Sequence, residues 1–422
     1  MRLKVNAPVW ISSLYFAEGV PAAVICEVSV VIFAALGRPP ESLARDVSLL
    51  GMPWMFKPLW SCLVDLRGTK RRWIIGTQIG LGALFAAAAG CAGGFGWLWG
   101  ILLAAAFVSA THDIAADGFY IVALDDYRQS LYSGLRSVFY RAAMIVANGG
   151  LLYAAARWGQ ARGSSPWPWA FGAVAAGFAV LALFHYAVLP RDERGAGARP
   201  AGAFMATLRE FVKLPDFGNV VVFLLLFRFA EAQLTIVSRL FLLDPAGGGL
   251  TLEQYGVMVG TIGVGAMLAG GVCGGIFAAR VGLKAALLPM ALALNVPDAL
   301  YTWWAFFPVS GGVTRAAFIA IEQFGYGFGF TGYMLVMIYA AGRCGAFQTT
   351  IFSLLSCLMI LGLRLPGAFS GQLLAGMNRW LGIRAWSSYQ SFFVWVLAAT
   401  LVSFAATWQL ARRLPAEYGR KA

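Results

Sequence analysis

Twelve apolar runs, each between 20 and 32 residues long, fill this 422-residue chain. About 20 consecutive apolar residues carry a helix across the hydrocarbon core of a bilayer. The runs therefore predict an all-α integral membrane protein with 12 transmembrane helices. The first six are expected near 8–36, 46–65, 72–94, 96–124, 131–156 and 167–189. The second six are expected near 217–243, 252–279, 283–306, 313–341, 346–377 and 386–411. Only 12% of the residues are charged, against about a quarter in a soluble globule. Mean hydropathy is +0.72, so little soluble mass is left over.

The net charge of +13 does not mark a nucleic-acid binder, because the basic residues punctuate the ends of the apolar runs. With the N-terminus inside, 19 of the 32 Lys and Arg residues fall on the cytoplasmic side, six fall outside and seven lie within runs. That bias predicts both termini in the cytoplasm. The six cysteines are scattered and form no CxxC, so neither a disulfide framework nor a zinc site is expected. The basic MRLK start leads into a long first run without a small-residue cleavage site, which predicts an uncleaved first helix.

The longest polar stretch, RDERGAGARPAGAFMATLREFVKLPD, separates two sets of six runs. It predicts an N-terminal six-helix bundle (1–190), a cytoplasmic linker (191–216) and a C-terminal six-helix bundle (217–422). Phe204, Leu208, Phe211 and Val212 fall at helical spacing in the linker, as in a helix lying on the membrane surface. The two halves resemble repeats. Phe16-Ala17-Glu18 recurs as Phe229-Ala230-Glu231, and Gly68-x-Lys70 recurs as Gly282-x-Lys284, at offsets of 213 and 214.

Fourteen charged residues fall inside the runs: Glu18, Glu27, Asp113, Asp117, Glu231, Asp298, Glu322, Lys57, Arg136, Arg141, Arg228, Arg239, Arg315 and Arg364. Each costs about 2.5–3.5 kcal/mol at mid-bilayer even on the gentler scale. They must pair or line a wet cavity, apart from helix-end residues such as Lys57 and Arg315 that can snorkel. Asp113 and Asp117, in ATHDIAADGFY, sit one turn apart on one helix face, with His112 about 100° away. Two carboxylates that close in a poor dielectric suit a proton carrier; bracing by nearby arginines is the competing reading. His112 alone is a weak signal, and His185 reads as a helix-end residue.

The seventh run places Arg228 and Arg239 three turns apart, with Glu231 and Thr235 along the same stripe. Arg228 can pair with Glu231, leaving Arg239 for an anion. Arg136, Tyr140 and Arg141 add a second basic, aromatic set, and arginine suits bidentate carboxylate recognition. An internal salt-bridge network competes with both. In EQFGYGFGFTGYM, the side chains of Glu322, Gln323, Tyr326 and Tyr333 suit a sugar ring, and the glycines equally suit a tight helix seam.

These stretches carry a family resemblance. The 6+6 layout and the loop MFKPLWSCLVDLRGTKRR resemble the major facilitator superfamily and its signature between helices 2 and 3. Asp65, Gly68, Arg71 and Arg72 match the signature, which implies a gating latch. Ser61 stands where Gly is usual, and the second-half copy has Ala279 for the Asp. LYFAEGVP, ATHDIAADGFY, FYRAAM, EQFGYGFG and FSLLSCLMILGLRLPGAFSG resemble the AmpG-like muropeptide permeases, relatives of acetyl-coenzyme A transporters. A common family form has Gln where this chain has His112.

The resemblance implies a proton-coupled importer of GlcNAc-anhydromuropeptides in a bacterial cytoplasmic membrane, working as a monomer without a cofactor or metal. Asp113, Asp117, Glu18 and Glu231 would then handle protons. His112, Tyr120, Arg136, Tyr140, Arg141, Arg228, Arg239, Glu322, Gln323 and Tyr326 would meet an amphiphilic glycopeptide. A siderophore, an acyl-coenzyme A or an oligosaccharide is the alternative cargo. No GxxxxGK[ST] loop for ATP is present. An enzyme would need a dense catalytic cluster near one membrane face, and a sensor would need a soluble output domain; neither stands out.

Overall fold

A computed structural model of the chain describes residues 6–38, 46–47, 49–191, 202–214, 216–344, 347–381, 385–415 and 418–419. The expected positive charges at Arg2 and Lys4, the Gly/Ala/Pro start of the linker and the last residues of the tail lie outside the described residues. Every regular element among the described residues is helical. Eleven helices are long and apolar enough to cross a membrane. They are segments 1 (Ala7–Ala35), 3 (Lys70–Gly90), 4 (Phe95–Ala123), 5 (Asp126–Arg162), 6 (Trp167–Val188), 7 (Phe217–Leu243), 8 (Gln254–Val281), 9 (Leu283–Phe306), 10 (Gly312–Gly342), 11 (Gln348–Trp380) and 12 (Ser388–Ala411).

The second expected helix is not one rod. It consists of Met52–Phe56 and Pro58–Leu66, parted at Lys57. A proline at the start of a helix is tolerated, but it cannot give the hydrogen bond that would continue the preceding turn. The linker carries a short helix, Gly202–Val212.

Two compact units form. Unit 1 contains Met1–Leu124, Leu135–Leu208 and Cys344–Ser353. Unit 2 contains Asp125–Gly134, Arg209–Arg343 and Leu354–Ala422. Segment 3 packs between segments 4 and 6 in unit 1. Its Phe85 stacks on Phe171 and Phe178 within a core that also holds Ile25, Phe33, Leu81, Leu98 and Leu102. In unit 2, Phe241 gathers the rings of Trp304, Tyr389 and Phe393 edge-on.

Segment 10 packs against segments 8 and 9, and its glycines explain how. A Cβ at Gly325 would strike the Ala293 carbonyl, and one at Gly327 would strike the Met267 carbonyl. Of the two readings of EQFGYGFGFTGYM, these glycines therefore serve the close helix seam.

Segments 1, 7 and 9 depart from continuous α-helix: in segments 1 and 9 beside Pro21 and Pro297, where proline predicts an interruption, and in segment 7 without a proline. Segment 1 contains Pro21 and then a π-turn at Val24–Val28. Segment 7 breaks at Phe227 and Arg228, between Phe217–Leu226 and Phe229–Leu243. Side chains from other helices satisfy carbonyls at that break: Tyr333 Oη donates to Leu224 O at 2.6 Å, and Ser403 Oγ donates to Leu226 O at 3.1 Å. Segment 9 turns through a 3₁₀ stretch at Val296–Asp298. Pro297 has no N–H to offer Ala293 O, the same carbonyl that faces Gly325.

Candidate functional site

Nine of the 14 charges within the runs are buried: Glu18, Lys57, Asp113, Asp117, Arg136, Arg228, Glu231, Asp298 and Glu322. Arg141 and Arg315 are half-buried, while Glu27, Arg239 and Arg364 are exposed. Glu27 accepts from Asn148 Nδ2, joining the π-turn of segment 1 to that of segment 5.

The buried charges of unit 1 form one cluster. Lys57 Nζ donates to Asp113 Oδ2 at 3.1 Å, and both side chains are about a tenth exposed. The snorkelling expected of Lys57 is thus corrected: the break between the two short helices turns its ammonium inward to a carboxylate. One turn along segment 4, Asp117 accepts from Arg136 Nη2 and, at 3.1 Å, from Tyr15 Oη. The Arg136 guanidinium lies over the rings of Tyr15 and Tyr120, 4.5 and 4.6 Å from their centroids. Its Nε and Nη1 have no hydrogen-bond partner among the described residues. Glu18 lies beside Asp113, and its Oε2 has no hydrogen-bond partner among the described residues. Gly19 lets segment 1 approach so closely that a Cβ there would strike the Tyr140 carbonyl. Tyr140 itself is half-buried beside Glu18 and Asp113.

His112 faces away from both aspartates, as its helical position requires. The amide of Gln78 bridges His112 Nε2, at 3.0 Å, to His185 Nδ1, at 2.8 Å. His185 Nε2 then meets Ser13 Oγ at 2.9 Å. His185 is therefore fully buried and bonded, not a simple helix-end residue. Gln78 gave no sequence signal, since a lone Gln in an apolar run has no telltale spacing.

In unit 2, Arg228 Nε donates to Glu231 Oε2 at 2.8 Å, and Thr235 Oγ1 donates to Glu231 Oε1 at 2.8 Å. Arg228 Nη2 reaches Tyr326 Oη at 3.1 Å. Gln323 Nε2 donates to Glu322 Oε2 at 2.8 Å. The expected shared face of Arg228 and Arg239 is corrected. The break at Phe227 and Arg228 ends the three-turn register, so Arg228 is buried while Arg239 is exposed.

The loop after the second helix is built around Asp65. Its Oδ1 pairs with Lys70 Nζ at 3.0 Å, and its Oδ2 accepts from Thr350 N at 2.9 Å and Thr350 Oγ1 at 2.7 Å. A carboxylate thus sits on the N-terminal turn of segment 11, where the helix dipole favours negative charge. Gly68 takes a φ of +72°, which suits glycine in the turn. Arg71 donates to the carbonyls of Tyr186 and Leu189 at the end of segment 6. The Arg72 side chain is exposed, and its backbone N–H is capped by Thr69 Oγ1 at 3.2 Å.

The chain is 25% identical over 354 residues to the anhydromuropeptide permease of Escherichia coli K12, covering 82% of this chain and 69% of that one. It is 26% identical over 266 residues to a putative transporter AmpG 4 of Rickettsia felis, covering 61% of each. Its fold matches that of the Escherichia coli fucose:proton symporter with a TM-score of 0.66 at 16% identity, covering 96% of this chain and 98% of that one. A bacterial homologue of the iron transporter ferroportin matches with a TM-score of 0.69 at 15% identity, covering 97% and 100%. No family model matches the sequence.

The chain has the fold of these transporters and is related, at 25% identity over most of its length, to the anhydromuropeptide permease. Its long apolar helices are those of a multi-pass membrane protein.

Proposed function

We propose that this transporter imports peptidoglycan fragments, such as GlcNAc-anhydromuropeptides, in symport with protons by alternating access across a bacterial cytoplasmic membrane. The observation that carries the proposal is the charge balance of the unit 1 cluster. Glu18, Asp113 and Asp117 supply three carboxyl groups against two cations, Lys57 and Arg136. A buried carboxylate without a countercharge is expensive, and two carboxyl groups hydrogen-bond only when one carries a proton. A proton shared by Glu18 and Asp113 completes the cluster. Moving it to or from Asp113 changes how strongly Lys57 is held.

Glu231, matching Glu18 in the repeat, belongs to the proton-handling set of unit 2. The two free donors of Arg136 suit a solute carboxylate or amide carbonyl. Tyr120, Tyr140 and Tyr326 offer aromatic faces, Arg228, Glu322 and Gln323 hydrogen-bonding groups, and His112, Arg141 and Arg239 further polar contacts. Asp65, Gly68, Arg71 and Arg72 form a latch, with both chain termini cytoplasmic and the transporter acting as a monomer. A proton falling through about 150 mV releases about 3.5 kcal/mol. That sustains an accumulation of a few hundredfold for a neutral co-transported solute, at about 1.4 kcal/mol per factor of ten.

The reading is tested by uptake of labelled GlcNAc-anhydromuropeptide into proteoliposomes under an imposed proton gradient. Accumulation that collapses with a protonophore supports it. Uptake blocked only by a siderophore, an acyl-coenzyme A or an oligosaccharide, with no response to muropeptide, would replace the cargo. Uptake indifferent to the proton gradient would remove the coupling.

A further inference from the structure

The broken ninth segment carries a buried carboxyl group, Asp298, that the proposed reading leaves without a task. Asp298 ends the 3₁₀ turn at Val296–Asp298 and is 2% exposed. Its Oδ2 has no hydrogen-bond partner among the described residues. Neither has Asn295 Oδ1, on a fully buried side chain whose Nδ2 donates to Ala291 O at 2.9 Å. Thr302 Oγ1 is a third buried oxygen without a partner. Residues 295, 298 and 302 follow in steps of three and four, so these oxygens lie along one side of the segment.

The ionisable surroundings of Asp298 are acidic. Glu322 on segment 10 and Glu231 on segment 7 both act on it. Tyr301, on segment 9 itself, lies beside Glu322 and Ser238, and Tyr255 on segment 8 is its other ionisable neighbour. Segment 12 also packs on the break, but its Tyr389 is engaged with Asp244. Among the described residues neither Asp298 nor Glu322 has an ion-pair partner, and the nearest cation of the Glu231 contact, Arg228, is bound to Glu231. Asp298 and Glu322 are thus two buried carboxyl groups without a countercharge, beside oxygens that only accept or can turn to accept.

We infer that Asp298 and Glu322, with Asn295 at the turn, form a monovalent-cation site in unit 2, separate from the unit 1 cluster and able to hold a proton or a sodium ion. Oxygen-only ligands suit these hard cations and not a thiolate- or imidazole-seeking metal. A discontinuous helix is a natural place for such a site, because its turn exposes acceptors that an intact helix uses up. Pro297 enforces that turn, and Gly325 leaves room for segment 10 to close over it. The inference rests on the transporter reading only for the site's purpose, which is to couple a cation to the movement of unit 2.

Infrared spectroscopy of the purified full chain tests the site without any solute, so its failure is distinguishable from failure of the muropeptide reading. With side-chain isotope-labelled aspartate and glutamate, the wild type should show the carbonyl stretch of protonated carboxylic acids in sodium-free buffer at neutral pH. Asp298→Asn should remove part of the aspartate band, and Glu322→Gln part of the glutamate band. Both variants replace a carboxyl group with a neutral group of the same shape, so both should melt within a few degrees of wild type. If added sodium bleaches these bands in the wild type, the site takes sodium in competition with the proton. If sodium leaves them unchanged, the proton is the occupant. Bands untouched by either substitution, together with a wild type insensitive to sodium, would overturn the inference. So would a marked loss of stability in both variants, which would show two ionised carboxylates held by partners.

Discussion

Replacing Lys57 by methionine perturbs the unit 1 cluster at its simplest contact. Lys57 Nζ and Asp113 Oδ2 are 3.1 Å apart, with both side chains about a tenth exposed. At an effective dielectric constant of about 20, charges at that distance attract by about 5 kcal/mol. Much of this offsets their desolvation. The measurable quantity is therefore the cost of leaving one charge alone, about 3–5 kcal/mol for a buried pair. Lys57→Met and Asp113→Asn should each be destabilised by roughly that much, while the double variant should recover most of it. The coupling energy, the two single losses summed less the loss of the double variant, should then be at least about 4 kcal/mol. Carrying the size scaling of thermal unfolding to this chain gives about 1–2 °C per kcal/mol, so each single variant should melt about 5 °C low. Melting of the four proteins in one detergent is the assay. If the double variant loses the sum of the two single losses, the pair is not coupled and the cluster has been misread.

Other consequences can be checked separately. Gly327→Ala pushes a methyl group against the Met267 carbonyl and should cost about 1–3 kcal/mol, seen as a lower melting temperature; an unchanged value would contradict the close seam. Tyr333→Phe removes the donor to Leu224 O at the break in segment 7 and should cost about 1–3 kcal/mol. Thr350→Val deletes one of the two Thr350 donors to Asp65 Oδ2 and should weaken that contact by about 1.5–3 kcal/mol, read as faster labelling of a cysteine placed at the start of segment 11. Arg239→Ala removes an exposed cation, so melting should stay within about 0.5 kcal/mol of wild type while the half-saturating concentration for an anionic solute rises.

The membrane-spanning architecture was legible because hydropathy is a local property that a run of 20 residues carries by itself. The charged residues that matter were legible for the same reason: a charge in an apolar run is conspicuous. Their partners were not. Lys57 looked like a helix-end residue; Pro58 marks an interruption of the helix, but that it turns Lys57 onto Asp113 depends on packing. His185 and Gln78 lie 107 positions apart in sequence and meet only because segments 3 and 6 pack together. The shared face expected for Arg228 and Arg239 assumed an unbroken helix, whereas segment 7 turns at Arg228 and its loose carbonyls are satisfied by Tyr333 and Ser403. Glycines in segment 10 signalled close approach correctly, but only the structure shows that the approach is to the backbones of segments 8 and 9.

The central claim is that the carboxyl groups around Lys57 carry the coupling proton. Its most direct test compares Asp113→Asn with wild type in proteoliposomes, measuring both muropeptide accumulation under a proton gradient and solute exchange without one. The account predicts that the variant loses accumulation against the gradient and still exchanges solute across the membrane. Full proton-driven accumulation by Asp113→Asn would contradict it.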